Sequence, residues 1–188
     1  MNRLIIFDFF GVISSEVSPK WFARHVSNDE ARILKDKYIA PADKGEYSMR
    51  DAIDMIASDF GYDPLDIIKE WKSYAILNTK LLEVIKLLRR NNKIALLSNA
   101  ASGVFEMLFD NFDFNFYFDK YFLSCDYKMV KPNLKFYDLC VKSFGINFDE
   151  IYFFDDNLTN VECLKNTNIK GIRFSGNDEI IPMLEKFI

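Results

Sequence analysis

Four short stretches in the second half of the chain are apolar through their middles and do not alternate: KIALLS (93 to 98), YFLS (121 to 124), EIYFFD (150 to 155) and KGIRF (170 to 174). A strand with one wet face alternates apolar and polar residues, so unbroken runs of this length suit strands buried on both faces. Helical segments lie between them. Pro132 stands at a first-turn position ahead of NLKFYDLCVKSFG, Gly145 marks a stop, and Asn157 reads as an N-cap. Strand, helix, strand in repetition builds a parallel sheet covered by helices. The run LIIF near the start (4 to 7) has the same character and adds one more strand.

Residues 14 to 78 read differently. PKWFARHV, DEARILKDKYI, SMRDAIDMIASDFG and DPLDIIKEWKSYAI carry helical spacing, and no run among them suits a strand. Ser48 and Asp63 are placed as N-caps, Pro64 opens a helix and Gly61 closes one. A further helix from about Lys80 to Arg90, capped by Thr79, leads back to the strand at Lys93. The expected fold is α/β, a Rossmann-like parallel sheet core with an inserted all-helical segment. The expected division is 1–13 with 79–188 for the core and 14–78 for the insert.

A chain of 188 residues is long enough to bury its own core, and 49% hydrophobic residues argue against disorder. The net charge of −4 and scattered lysines provide no basic footprint, which excludes nucleic acid as an expected partner. No apolar run approaches a membrane span, and Asp8 interrupts the first one too early for a signal peptide, so the expected location is cytoplasmic. Cys125, Cys140 and Cys163 are odd in number and lack a CxxC spacing, and they read as reduced core thiols. No interface signature indicates an oligomeric state.

The apolar runs end in polar groups. LIIF ends in Asp8, IALL in Ser98, and IYFF in Asp155 and Asp156. In an open parallel sheet the ligand crevice lies beyond the carboxyl ends of the strands, so these groups converge there. Lys131, in KMVKP, precedes a proline and sits in an extended link before a helix. Each residue alone has an ordinary reading: Asp and Ser favour turns and caps, and a lone lysine favours the surface. Adjacent acids at a buried strand end repel one another, so either a cation joins them or they face solvent. A few carboxylate oxygens with open positions suit magnesium, which accompanies phosphate. A carboxylate can attack phosphorus to form an acyl phosphate, while a hydroxyl, backbone N–H groups and a lysine hold the phosphoryl oxygens.

Asp8 in FDFFGV, Ser98 in LLSNA, Lys131 in KMVKP and the acids of FFDDNLTN together resemble the four motifs of the haloacid dehalogenase-like hydrolase superfamily. The resemblance covers the whole chain, and the helical insert falls where that superfamily carries a C1-type cap. GEYS in the insert, with LSN, KP and FFDDN, is similar to the subgroup of small phosphatases of the alpha-D-glucose-1-phosphate phosphatase type. The resemblance implies a magnesium-dependent phosphatase acting on a small phosphorylated metabolite, with sugar phosphates included. It implies Asp8 as nucleophile and magnesium ligand, the Phe10 carbonyl and Asp156 as further ligands, and Asp155 and Asn160 as orienting groups. It implies Ser98 and Asn99 as phosphoryl holders and Lys131 as the bridge between nucleophile and phosphate.

Two positions depart from the pattern. Lys128 stands where the superfamily often has glycine, and Phe10 stands where most of its phosphatases have a second Asp that protonates the leaving oxygen. General acid-base help is worth roughly a hundred- to ten-thousand-fold, so a phosphatase without it is slow unless another group compensates. Haloacid dehalogenases also lack that Asp and work without metal, which makes a 2-haloacid dehalogenase one alternative. A phosphate-binding or regulatory protein without turnover is another. His25, the only histidine, reads as a structural group of the insert. Trp21, Phe22, Trp71 and Tyr74 read as its core, with some facing the crevice.

Overall fold

The computed structural model describes residues 2–188. Five parallel strands form one sheet in the order β3-β2-β1-β4-β5: β1 (Arg3–Phe7), β2 (Lys93–Ser98), β3 (Lys120–Leu123), β4 (Glu150–Asp155) and β5 (Ile169–Arg173). The central strand β1 pairs Phe7 with Leu96 of β2 and with Phe154 of β4, so the ends of all three strands lie side by side.

The three central strands β1, β2 and β4 are buried on both faces, as their unbroken apolar runs require, whereas the edge strands β3 and β5, read from YFLS and KGIRF, are only partly buried. Ile5, Phe7, Ile94, Leu96, Tyr152 and Phe154 point to one side. There they meet α6 (Thr79–Leu88) and α12 (Asn177–Leu184) through Leu81, Ile85, Leu88, Ile181 and Leu184. Leu4, Ile6, Ala95, Leu97, Ile151 and Phe153 point to the other side, against Phe136, Tyr137 and Cys140 of α10 (Leu134–Lys142) and Leu164 after α11 (Leu158–Glu162). Short helices α7 (Val104–Leu108), α8 (Phe114–Tyr117) and α9 (Ser124–Tyr127) flank β3.

The segment between β1 and α6 is helical: α1 (Ser18–His25), α2 (Asn28–Leu34), a π-helical turn (Lys35–Ile39), α3 (Ala40–Asp43), α4 (Met49–Phe60) and α5 (Pro64–Tyr74). Ser48 caps α4 in a reciprocal pair with Asp51, Asp63 caps α5, and Gly61 ends α4 at φ +72°. The chain leaves and re-enters the sheet through neighbouring strands. Ser15 N–H donates to the Ile76 carbonyl at 3.0 Å and Asn78 N–H to the Ile13 carbonyl at 2.8 Å.

Two helix starts differ from expectation. Asn78, not Thr79, caps α6: its side-chain oxygen accepts from Leu81 N–H, and its amide also donates to the Val12 carbonyl. Asparagine is the stronger cap, and the long-range bond fixes its rotamer. Likewise Asn133 caps α10, leaving Pro132 outside the helix with a cis Lys131–Pro132 bond. Lys128 adopts φ +52°, the left-handed region that glycine favours, which explains why glycine suits that position.

His25 stacks on Trp21 with ring centroids 4.2 Å apart and bonds Tyr62, as a structural group does. The three cysteines are unpaired. No helix among the described residues is long and apolar enough to cross a membrane.

Candidate active site

Beyond the tip of β1, Asp8 turns back on the sheet. Its backbone N–H still bonds the Phe154 carbonyl at 2.9 Å, and its Oδ1 accepts from Phe9 N–H at 2.7 Å. The next strand tip brings Asp155 and Asp156, and oxygens of all three carboxylates lie within 4.8 Å of one another. Parallel pairing in register explains this: Phe7 sits opposite Phe154, so Asp8 and Asp155, which follow them, emerge at the same level.

Lys131 threads between the acids. Its Nζ lies 2.8 Å from Asp8 Oδ1 and 2.7 Å from Asp155 Oδ2, and only 1% of its side chain is exposed. Burial works against its charge, yet Asp8 and Asp155 hold the ammonium above its ordinary range. Burial pushes the Asp8 carboxyl well above the usual carboxylate range, against the pull of Lys131. Asp156 is raised to about 6, first by burial and then by the charges of Glu16 and Asp155. Three acids against one ammonium leave negative charge unmatched, and Asp8 and Asp156 resist ionising. A divalent cation among Asp8, Asp155 and Asp156 relieves that conflict, so the residues present fit a metal.

Gly11 shapes the same corner. At φ +84° it brings its backbone under Asp156, and a Cβ placed there would lie 2.3 Å from the carboxylate carbon. Asp155 is held on its remaining sides by Asn160 Nδ2 at 3.0 Å and by Asn157 N–H at 2.8 Å. Tyr137 in turn donates to the Asn160 carbonyl at 3.0 Å.

A cavity of about 330 Å³ opens over this cluster. Asp8, Phe10, Asn99, Lys131, Asp156 and Asn160 line it, while Ser98 and Asp155 are fully buried next to these lining residues in the chain. Ser98 ends β2, is fully buried, and its Oγ has no hydrogen-bond partner among the described residues. The Asn99 side chain also holds the lysine loop. Its Oδ1 accepts from Lys131 N–H at 2.8 Å and its Nδ2 donates to the Lys131 carbonyl at 3.1 Å. That amide fixes the lysine loop, and its second Nδ2 hydrogen and the backbone at 99 remain for a ligand.

The cavity's remaining wall comes from the helical segment. Glu16, Lys35, Asp36, Asp43 and Trp71 line it, and the buried Trp71 indole N–H has no partner among the described residues. The aromatic reading at 71 holds in both senses, as packing and as a face toward the cavity. The charged residues escaped sequence reasoning because they occupy helix surfaces in the text, where Lys and Asp are ordinary. Only the packing of that segment over the sheet turns them inward.

The chain belongs to the haloacid dehalogenase-like hydrolase family: residues 2–167 match that family's model, described as a hydrolase. Among solved structures, a HAD family enzyme from Bacteroides thetaiotaomicron superposes with a TM-score of 0.79 at 21% identity, covering 97% of this chain and 98% of that one. The same enzyme in complex with magnesium and inorganic phosphate gives 0.75 at 22% identity, over 92% and 94%. L-2-haloacid dehalogenase from Xanthobacter autotrophicus gives 0.63 at 18% identity, over 99% and 83%. Among curated proteins, drimenol cyclase drtB of Aspergillus calidoustus is 26% identical over 145 residues, which is 73% of this chain. The chain spans only 28% of that protein's length.

Proposed function

We propose that the protein is a magnesium-dependent phosphatase that hydrolyses a small phosphorylated metabolite through an aspartyl-phosphate on Asp8. The observation that carries this reading is the gathering of Asp8, Asp155 and Asp156 within 4.8 Å around one buried lysine. A metal-independent dehalogenase has no use for such a surplus of acid. The neighbour bound to magnesium and inorganic phosphate shares the fold and lends the reading its ligands.

In this reading Asp8 and Asp156, with the Phe10 carbonyl, hold magnesium, which when bound draws charge from the phosphoryl oxygens. Asp155 and Asn160 keep Lys131 in place. Lys131 bridges Asp8 and the phosphoryl group, and its fixed positive charge stabilises negative charge that shifts during transfer. Ser98 Oγ supplies an unspent hydrogen bond from the floor, and the backbone at Asn99 adds another group. Residues 14–78 serve as a C1-type cap over the core formed by 1–13 and 79–188. The 330 Å³ cavity limits the substrate to a small molecule, and sugar phosphates are the first class to screen. Three unpaired cysteines suit a reducing compartment such as the cytoplasm.

The test is turnover of 4-nitrophenyl phosphate with magnesium and with chelator, in the native protein and Asp8→Asn. Magnesium-dependent release of phosphate that disappears in Asp8→Asn is the expected result. Halide release from a 2-haloacid without metal, or beryllium fluoride binding without turnover, would replace it with a dehalogenase or a binding protein.

A further inference from the structure

Phosphoryl transfer to Asp8 leaves the departing alcohol in need of a proton. Phe10 cannot supply it: its ring is stacked on Phe105 and meets Phe9 edge-on, an apolar patch on the cavity wall. Three acidic residues of the helical segment and its lead-in line the same cavity, Glu16, Asp36 and Asp43. Asp36 is exposed, and Glu16 lies in the link before α1. Asp43 is different. It borders the cavity together with Ala101, just after Ser98 and Asn99, and the Ala101 backbone favours its ionised form.

The backbone at Asp43 is also fastened to the sheet. Ser124 Oγ, at the tip of β3, donates to the Asp43 carbonyl and accepts from Ala100 N–H at 2.9 Å. Two residues on, Gly45 passes so close to Cys125 that a Cβ there would lie 2.5 Å from its carbonyl oxygen. One hydroxyl therefore references Asp43 to the loop that borders the phosphoryl position. An aspartate whose backbone is held this way starts from a defined place relative to the reacting group, which a catalyst needs.

We propose that Asp43 is the general acid and base of this site, in place of the side chain that Phe10 lacks. The inference rests on the phosphatase reading. In the first step an Asp8 oxygen bonds phosphorus, the ester P–O bond breaks, and the Asp43 proton passes to the departing oxygen to give the free alcohol. In the second, water bonds phosphorus and gives a proton to the Asp43 carboxylate. The P–O bond to Asp8 breaks, which releases phosphate and restores both side chains.

The charges facing Asp43 suit both roles. Lys35 from the π-helical turn and Lys131 from the core favour its ionised form, Glu16 disfavours it, and burial disfavours it most. The balance pushes the carboxyl up to about 7, where it can give and take a proton near neutrality.

The experiment compares kcat/KM for phenyl phosphate and 4-nitrophenyl phosphate, with magnesium, in the native protein and Asp43→Asn. Phenoxide is the poorer leaving group and needs the proton more. The expected loss is about a hundred-fold or more on phenyl phosphate and no more than about tenfold on 4-nitrophenyl phosphate. The native decline in kcat/KM as pH rises through about 7 should vanish in the variant. A burst of nitrophenol followed by slow turnover should mark the missing base. Equal losses on the two esters, or none, would overturn the inference while leaving the phosphatase reading intact. No magnesium-dependent turnover by the native protein would overturn both. If Asp43→Asn does not fold, Asp43→Ser makes the same comparison.

Discussion

The ammonium of Lys131 lies 2.7 Å from Asp155 Oδ2, and neither side chain is more than 1% exposed. A buried pair of this kind is costly to break from one side, because the surviving charge has no water to return to. Lys131→Met leaves Asp8 and Asp155 facing each other. The expected cost is about 3–5 kcal/mol of stability without magnesium, read from denaturant unfolding. A loss under about 1 kcal/mol, typical of exposed pairs, would show that the lysine is not held as described.

Gly11→Ala tests the corner under Asp156. The new Cβ would meet the carboxylate and would also sit at φ +84°, so Asp156 has to move. Magnesium affinity, measured by calorimetry, should weaken about 10- to 100-fold, the range seen when a ligand's support is lost. An unchanged affinity would remove Asp156 from the metal site.

The raised carboxyl of Asp43 has a signature in stability as well as in rate. Its folded value of about 7 lies above the ordinary 3.8, so between those limits the folded protein holds more protons than the unfolded one. Its contribution is then lost as pH rises from about 4 to 7. Asp43→Asn cannot ionise, so its melting temperature relative to the native protein should climb across that window and level off above it. A flat difference would mean that the carboxyl titrates normally.

Glu150 should behave in the opposite way. Lys170 and Arg3 hold its carboxyl down to about 2, and the Lys170 bond contributes most. A depressed acid stabilises the fold above its ordinary value of 4.5 and loses that effect as pH falls toward 2. The melting-temperature advantage of the native protein over Glu150→Gln should be full above pH 4.5 and shrink on acidification through that range. An advantage that persists at pH 2 would contradict the ion pairs Arg3–Glu150 and Lys170–Glu150.

Much of the fold is legible in the text because strand burial leaves a local mark. KIALLS and EIYFFD match β2 and β4 to the residue, since an unbroken apolar run has few other places to go. Caps at Ser48, Asp63 and Asn157 are legible for the same reason: the side chain bonds its own helix. The misplaced starts at Asn78 and Asn133 were decided by side chains whose competition with neighbours is not written locally. Helices α7 and α8 left too short a pattern to read. At the site, Asp8, Asp155 and Asp156 were legible as strand-end polar groups and Lys131 as a lysine in the link before a helix, and the structure brings them together. Asp43 was not, because its meaning depends on Ser124, 81 residues away, and on the cavity that the two share.

The neighbouring passages at Ser15 and Ile76 have a consequence for how such chains vary. Departure and return occupy adjacent positions, so the scaffold beneath never feels the length of what is strung between them. A longer, shorter or wholly different canopy could be set on the same two posts, changing which molecules fit below it while the reacting groups on the floor keep their spacing.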